Sequence, residues 1–185
     1  MGDRVRITDV SPRDGLQNER AIVPVAEKLR LVRALLATGV DEVEATSFVS
    51  PKWVPQLGDA EELLAGIEAS RQQGMRPVLS ALVPNEKGFE RAAVFHERLK
   101  EAGFPSGLKI AVFTAASETF SKKNTNATIA ETIERFRMFV PRAIEMGMDV
   151  RLYVSCVVAC PFEGAIAPGK VREVCDRLKD LAPRG

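Results

Sequence analysis

Five short apolar runs rich in β-branched residues recur along the chain, and their spacing constrains the fold more than any other feature. They are Val5–Val10, Val40–Ala45, Pro77–Val83, Leu108–Phe113 and Val150–Val154, with starts 35, 37, 31 and 42 residues apart. The intervals between them carry helical periodicity. After Pro24, the residues Val25, Leu29, Val32, Leu35 and Leu36 fall on one helix face, and Gly39 closes the segment. Asp59 with Glu62 makes a capping-box pattern ahead of Leu63, Leu64 and Ile67. Thr128 with Glu131 repeats it ahead of Ile129, Ile133, Phe136, Val140 and Ile144, read as one helix. A less regular helix covers about Glu86 to Ala102, with Gly103–Gly107 as its exit turn, and a last helix starts near Pro168 and buries Val171, Val174, Cys175, Leu178 and Leu181. Strict alternation of strand and helix predicts a parallel sheet.

Two architectures accommodate five such units. A doubly wound sheet is complete at this length. A (β/α)8 barrel would need roughly 290 residues at the observed spacing, so about three units would be missing. Length favours the first and the strand ends favour the second. A doubly wound nucleotide binder carries a glycine-rich turn after its first strand, whereas here the segment is Ser11-Pro-Arg-Asp-Gly-Leu-Gln-Asn-Glu19. Glu44, Thr46 and Ser47 follow at the second strand, Asn85 at the third, Ser117 and Glu118 at the fourth, and Ser155 and Cys156 at the fifth. Polar groups at carboxyl ends of strands are how barrels build their sites. Composition and these patterns leave both folds open.

Composition narrows function by exclusion. Among the 185 residues, 26 Lys and Arg against 25 Asp and Glu leave a net charge of +1, so no basic footprint for nucleic acid is present. No run approaches the ~18 consecutive apolar residues of a membrane span. The first ten residues, MGDRVRITDV, lack the apolar region of a secretory leader, and three clustered cysteines suit a reducing, cytoplasmic compartment. The single histidine, His96, means that a mechanism needing two histidines is not completed by this chain alone.

The segment Ser11–Glu19 carries the strongest chemical signal. Arg13 beside Asp14 at a strand end reads either as a guanidinium for a substrate oxyanion next to a carboxylate for a hard cation, or as an ion pair on a surface turn with Gly15 at positive φ. Glu44 reads as a metal ligand or base, or as a solvated strand end. Ser50–Gln56, with two prolines and the only tryptophan, reads as a rigid loop that closes over a ligand or as Trp53 covering the core edge. Cys156-x3-Cys160 lacks zinc spacing and a nearby histidine, so Cys156 reads as a small strand-end residue and Cys160 as a loop thiol. His96 reads as a surface helix histidine, and Lys122-Lys123-Asn124 as a solvated loop or a phosphate contact.

Several longer segments, in this order, resemble one family. SPRDGLQNE at 11–19, EATSFVSPKWVPQLGD at 44–59, LVPN at 82–85, AASETFSKKN at 115–124 and YVSCVVACPFEG at 153–164 are similar to the N-terminal portion of the hydroxymethylglutaryl-CoA lyases, within the DRE-TIM metallolyase superfamily. The resemblance implies a TIM barrel represented here by about its first five βα units, residues 1–185 being one truncated barrel domain. It implies divalent-metal-assisted cleavage of 3-hydroxy-3-methylglutaryl-CoA to acetyl-CoA and acetoacetate, with Mg²⁺ or Mn²⁺ as cofactor. Asp14 matches the family's metal-ligand aspartate and a candidate acceptor of the hydroxyl proton, Arg13 the enolate-stabilising arginine, and Glu44 a carboxylate near the metal. Gln17, Ser47, Tyr153 and Ser155 match pocket-lining positions. An HxH pair, an asparagine and a cysteine on a glycine-rich loop complete the family's site in later strands, so the resemblance implies a chain that is inactive alone and that forms a homo-oligomer or pairs with a complementing C-terminal half. First and fifth strands left as open edges imply self-association. The alternatives are a non-catalytic acyl-CoA-binding or interaction protein, and another lyase or condensing reaction of the superfamily.

Overall fold

The computed structural model describes residues 4–70, 78–104 and 106–182. Five strands, β1 (Thr8–Asp9), β2 (Glu42–Ser47), β3 (Val78–Leu82), β4 (Leu108–Ala115) and β5 (Val150–Ser155), form one sheet in the order β1-β2-β3-β4-β5. Sequential order is what a barrel's consecutive βα units produce, while a doubly wound sheet reverses direction at a switch point. The topology therefore decides the alternative that length had tilted the other way. Pairings β1·β2 and β2·β3 are parallel, with Thr8 opposite Glu42 and Glu44 opposite Ser80. Pro77, expected to open the third strand, and Pro105, within the expected exit turn, lie outside the described residues. No helix among the described residues is long and apolar enough to cross a membrane.

The chain divides into two compact units, 1–110 and 111–185. In the first, α1 (Val25–Ala37), α2 (Ala60–Ala69) and α3 (Glu86–Glu101) pack beside the strands. The apolar face of α1 buries Val32 and Leu36 as its period requires, and also Lys28, whose Nζ donates to both carboxylate oxygens of Asp59 at 2.8 Å and to the Gln56 carbonyl. That ion pair overturns one expectation. Asp59 stands at the N-cap of α2, but its side chain makes no capping bond, because the buried ammonium takes both of its oxygens.

His96 is corrected in the same unit. It is fully buried on α3, on the stripe of Phe89, Ala92, Phe95 and Leu99, rather than on a solvent face. Its Nδ1 lies 3.2 Å from the Leu108 N–H, which donates to it, and Gly107 at φ +57 brings the backbone against the ring.

The second unit contains α4 (Glu118–Thr125), α5 (Ile129–Arg137), α6 (Val140–Glu145), a hairpin of β6 (Ala159–Cys160) and β7 (Gly164–Ala165), and α7 (Pro168–Lys179). The capping box at Thr128 forms: its hydroxyl accepts the Glu131 N–H at 3.1 Å, and the Glu131 carboxylate accepts the Thr128 N–H at 2.7 Å. The helix it starts is shorter than expected. It ends at Arg137, and Pro141 sits in the first turn of a separate α6, where its missing N–H costs nothing. Phe136 and Phe139 pack edge to face across this break at 6.1 Å. On α7, Val174 and Leu178 are buried as expected, while Val171 and Cys175 are only half-buried.

Candidate active site

The Ser11–Gly15 segment following β1 is a single π-helical turn, a form that concentrates at functional sites. Its backbone explains the conformation. Val10 breaks helical geometry, Pro12 occupies an early position without needing a donor, and the Arg13 and Asp14 N–H groups both donate to the Val10 carbonyl, at 3.1 and 2.7 Å. Gly15 is not among the positive-φ glycines, so the left-handed surface turn expected of it is not formed. The tight turn presents Arg13 and Asp14 from one ring of backbone.

Arg13 is the centre of the geometry. Its Nε donates to Glu44 Oε1 at 2.5 Å and its Nη1 to Asp14 Oδ1 at 2.5 Å. Glu44 is fully buried within β2, not at a solvated strand end, while the Asp14 side chain is 56% exposed. A carboxylate taken wholly out of water demands a charged partner, and Arg13, itself mostly buried, supplies it. The guanidinium is thus fixed from behind by a buried anion and bordered in front by an accessible one. The register between β2 and β3 shifts between Glu44 and Thr46, an irregularity that re-aims the side chains beyond it. Ser47 is buried, and its Oγ accepts the Val49 N–H at 3.1 Å. Gln17 lies just past the π-turn and is half-buried. These five residues belong to the first unit.

Tyr153 and Ser155 belong to the second unit, half-buried on β5. Arg151 reaches the Tyr153 hydroxyl at 3.2 Å from the same face of the strand, and the Ser155 carbonyl accepts the Ala116 N–H at 2.9 Å. Two further strand-end groups are consumed by structure. Asn85 caps α3 by accepting the Gly88 N–H at 3.0 Å, and Ser117 caps α4 by accepting the Phe120 N–H at 3.0 Å. Lys122 and Lys123 lie on α4 rather than in a loop, with Lys123 Nζ 4.1 Å from the centre of the Phe162 ring. Trp53 does not cover the core edge: it is 75% exposed. Cys160 is not a loop thiol but a buried residue of β6.

As a place for a divalent cation, the residues fit only in part. Asp14 offers an exposed hard oxygen of the kind Mg²⁺ prefers, yet among the described residues no group of three His, Cys, Asp or Glu side chains converges. A complete shell is not assembled by these residues.

The periodicity held unused signals. Lys28 sits four residues before Val32 and His96 four after Ala92, so both lie on apolar stripes. The grouping of Ser117 and Cys160 gave none, since 43 residues separate them.

The HMGL-like family model matches residues 4–184. The mitochondrial hydroxymethylglutaryl-CoA lyase of Bos taurus is 48% identical over 180 residues, covering 96% of this chain and 50% of the relative. The cytoplasmic 3-hydroxy-3-methylglutaryl-CoA lyase of Mus musculus is 47% identical over 179 residues, covering 96% and 48%. The chain therefore spans about half the length of the curated relatives it matches. Among solved structures, the HMG-CoA lyase of Brucella melitensis superposes with a TM-score of 0.82 at 44% identity, covering 97% of this chain and 59% of that one. An HMG-CoA lyase from Acinetobacter baumannii in complex with coenzyme A and 3-methylmalate gives 0.81 at 32% identity, covering 95% and 53%. With its sequential parallel strands and its π-turn site, this chain belongs to the HMGL-like family and carries the first part of that family's barrel.

Proposed function

We propose that this chain supplies the oxyanion-stabilising part of a lyase that cleaves 3-hydroxy-3-methylglutaryl-CoA to acetyl-CoA and acetoacetate. The observation that carries the reading is Arg13, held between buried Glu44 and exposed Asp14. Breaking the carbon–carbon bond beside a tertiary alcohol leaves negative charge on the thioester enolate oxygen. A guanidinium stays charged throughout, and one already positioned by a buried carboxylate stabilises that oxygen without reorganising as the charge develops. Asp14 is accessible enough to take the hydroxyl proton or to give one oxygen to Mg²⁺ or Mn²⁺, whose remaining ligands would come from outside these residues. Gln17, Ser47, Tyr153 and Ser155 are proposed to line the acyl-CoA pocket, a substrate class supported by the relative solved with coenzyme A.

In this reading residues 1–185 are the opening part of one barrel domain in a cytoplasmic enzyme, with no nucleic-acid or membrane partner. The protein works as a homo-oligomer or with a chain supplying the later strands, and its product roles are leucine degradation and ketone-body formation. A second reading, acyl-CoA binding without turnover, is favoured by the incomplete ligand set. In an active assembly with the C-terminal part of a lyase relative, Arg13→Met is expected to lower turnover by about 10²–10³-fold, the scale of losing one oxyanion donor, with Arg13→Lys recovering a fraction. Turnover unchanged in Arg13→Met would reject Arg13 as the oxyanion group.

A further inference from the structure

The second unit holds a cluster that the proposed reaction does not use. Cys160 Sγ lies 3.0 Å from Ser117 Oγ, and the Phe162 N–H donates to the same sulfur at 3.4 Å. Because Ser117 Oγ already accepts the Phe120 N–H, its single hydrogen is shared between the Cys160 sulfur and the Glu163 carboxylate. The Ser117 hydroxyl and the Phe162 N–H thus flank one buried sulfur. Cys156, half-buried at φ 61, packs against the small apolar cluster of Ala116, Cys160 and Ile166.

The two thiols are biased in opposite directions. Burial by itself pushes Cys160 up, but the hydrogen bonds from Ser117, Phe162, Glu163 and Cys156 outweigh it and bring the thiol below its usual value. Burial raises Cys156, and its bond to Cys160 and the nearby Glu163 carboxylate raise it further. That carboxylate is itself fixed, accepting the Thr119 N–H at 2.7 Å. The arrangement separates a thiolate-prone sulfur from a proton-retaining one, the division of labour of an attacking and a resolving cysteine.

We propose that Cys160 and Cys156 form a hydroperoxide-oxidisable pair, Cys160 attacking and Cys156 resolving. The Cys160 thiolate attacks one oxygen of hydrogen peroxide, the O–O bond breaks, and hydroxide leaves with the electron pair, giving a sulfenic acid. The Cys156 sulfur then attacks that sulfur, its proton joins the departing hydroxyl as water, and the disulfide forms. One peroxide is reduced by two electrons as two thiols are oxidised. Access is through the β6–β7 hairpin, whose ladder is only Ala159 opposite Ala165 and Cys160 opposite Gly164. So short a ladder opens locally at little cost.

The test treats the purified chain with hydrogen peroxide at pH 7 and maps the products by peptide mass spectrometry with a cyclic 1,3-dione present. The expected result is loss of two hydrogens from the peptide containing both Cys156 and Cys160, with Cys175 unchanged. Cys156→Ser is expected to trap a dione adduct on Cys160, and Cys156→Ala serves the same purpose if the serine variant misfolds. In Cys160→Ser, adduct on Cys156 should form at least about tenfold more slowly, and Ser117→Ala should slow disulfide formation severalfold. Absence of the two-hydrogen loss, oxidation of Cys175 first, or equal labelling of Cys156 in Cys160→Ser would overturn the proposal.

Discussion

At the scale of single residues, buried charge and close approach dominate. Glu44 is tolerated inside β2 because Arg13 meets it at 2.5 Å. Removing the guanidinium leaves a carboxylate in the interior without that partner, so Arg13→Met should lower unfolding free energy by about 3 kcal/mol. Combining it with Glu44→Leu should restore much of the loss, because an apolar pair of similar volume replaces a buried ion pair at little cost. Denaturant titration of the two single variants and the double variant measures this cycle, and additive losses would contradict it. Two glycines make a second residue-scale contrast. A Cβ at Gly107 would stand 2.7 Å from His96 Nδ1 and 2.8 Å from the His96 carbonyl oxygen, with φ at +57. Gly39 is also at positive φ, +86, but has nothing within 4 Å. Gly39→Ala should cost about 1 kcal/mol for the left-handed backbone alone, and Gly107→Ala clearly more. Equal shifts of the two denaturation midpoints would show that the His96 contact does not matter.

At the scale of elements, local signals were legible and long-range ones were not. The Thr128 box lies within four consecutive residues, so the sequence contains both partners and the helix start forms as expected. The same pattern at Asp59 does not form, because its carboxylate belongs to Lys28, 31 residues away. This distinction is measurable. Asp59→Asn keeps a good N-cap side chain but removes the anion beside a buried ammonium, and should destabilise by about 2–3 kcal/mol. A change of only a few tenths would mean that capping was its role. Acid should act on the elements through their carboxylates. Asp41 is held below its usual 3.8 by the Ile7 N–H and Arg4, Glu61 below 4.5 by Arg91, and Glu131 below 4.5 by the Thr128 N–H. A carboxyl lowered on folding contributes stability that is present above its unfolded value and lost as pH falls through its folded one. The unfolding midpoint should therefore be steady from neutral pH down to about 5 and fall below about 4.5. A midpoint that rises on acidification would contradict these assignments.

At the scale of the whole molecule, the five-unit alternation was readable because strand spacing and helix period repeat along the chain, whatever the tertiary contacts. Length and periodicity did not choose between a barrel and a doubly wound sheet, because strand order depends on pairings no local pattern encodes; the strand-end groups left the two even, and the family resemblance pointed to the barrel that the sequential strand order shows. Of the candidate site, Arg13 and Asp14 were visible as charged neighbours, but the burial of Glu44 behind Arg13 was not, since it depends on β2 lying beside β1. Arg13, fixed by buried Glu44, is proposed as the oxyanion group, and Asp14 as one ligand of a cation shell completed from outside these residues. Acetoacetate release from 3-hydroxy-3-methylglutaryl-CoA with Mg²⁺, measured for this chain alone and for this chain mixed with the C-terminal part of a lyase relative, tests this proposal. No turnover is expected from the 185 residues alone, and metal-dependent turnover is expected in the mixture. Metal-dependent turnover by the chain alone would contradict the proposal.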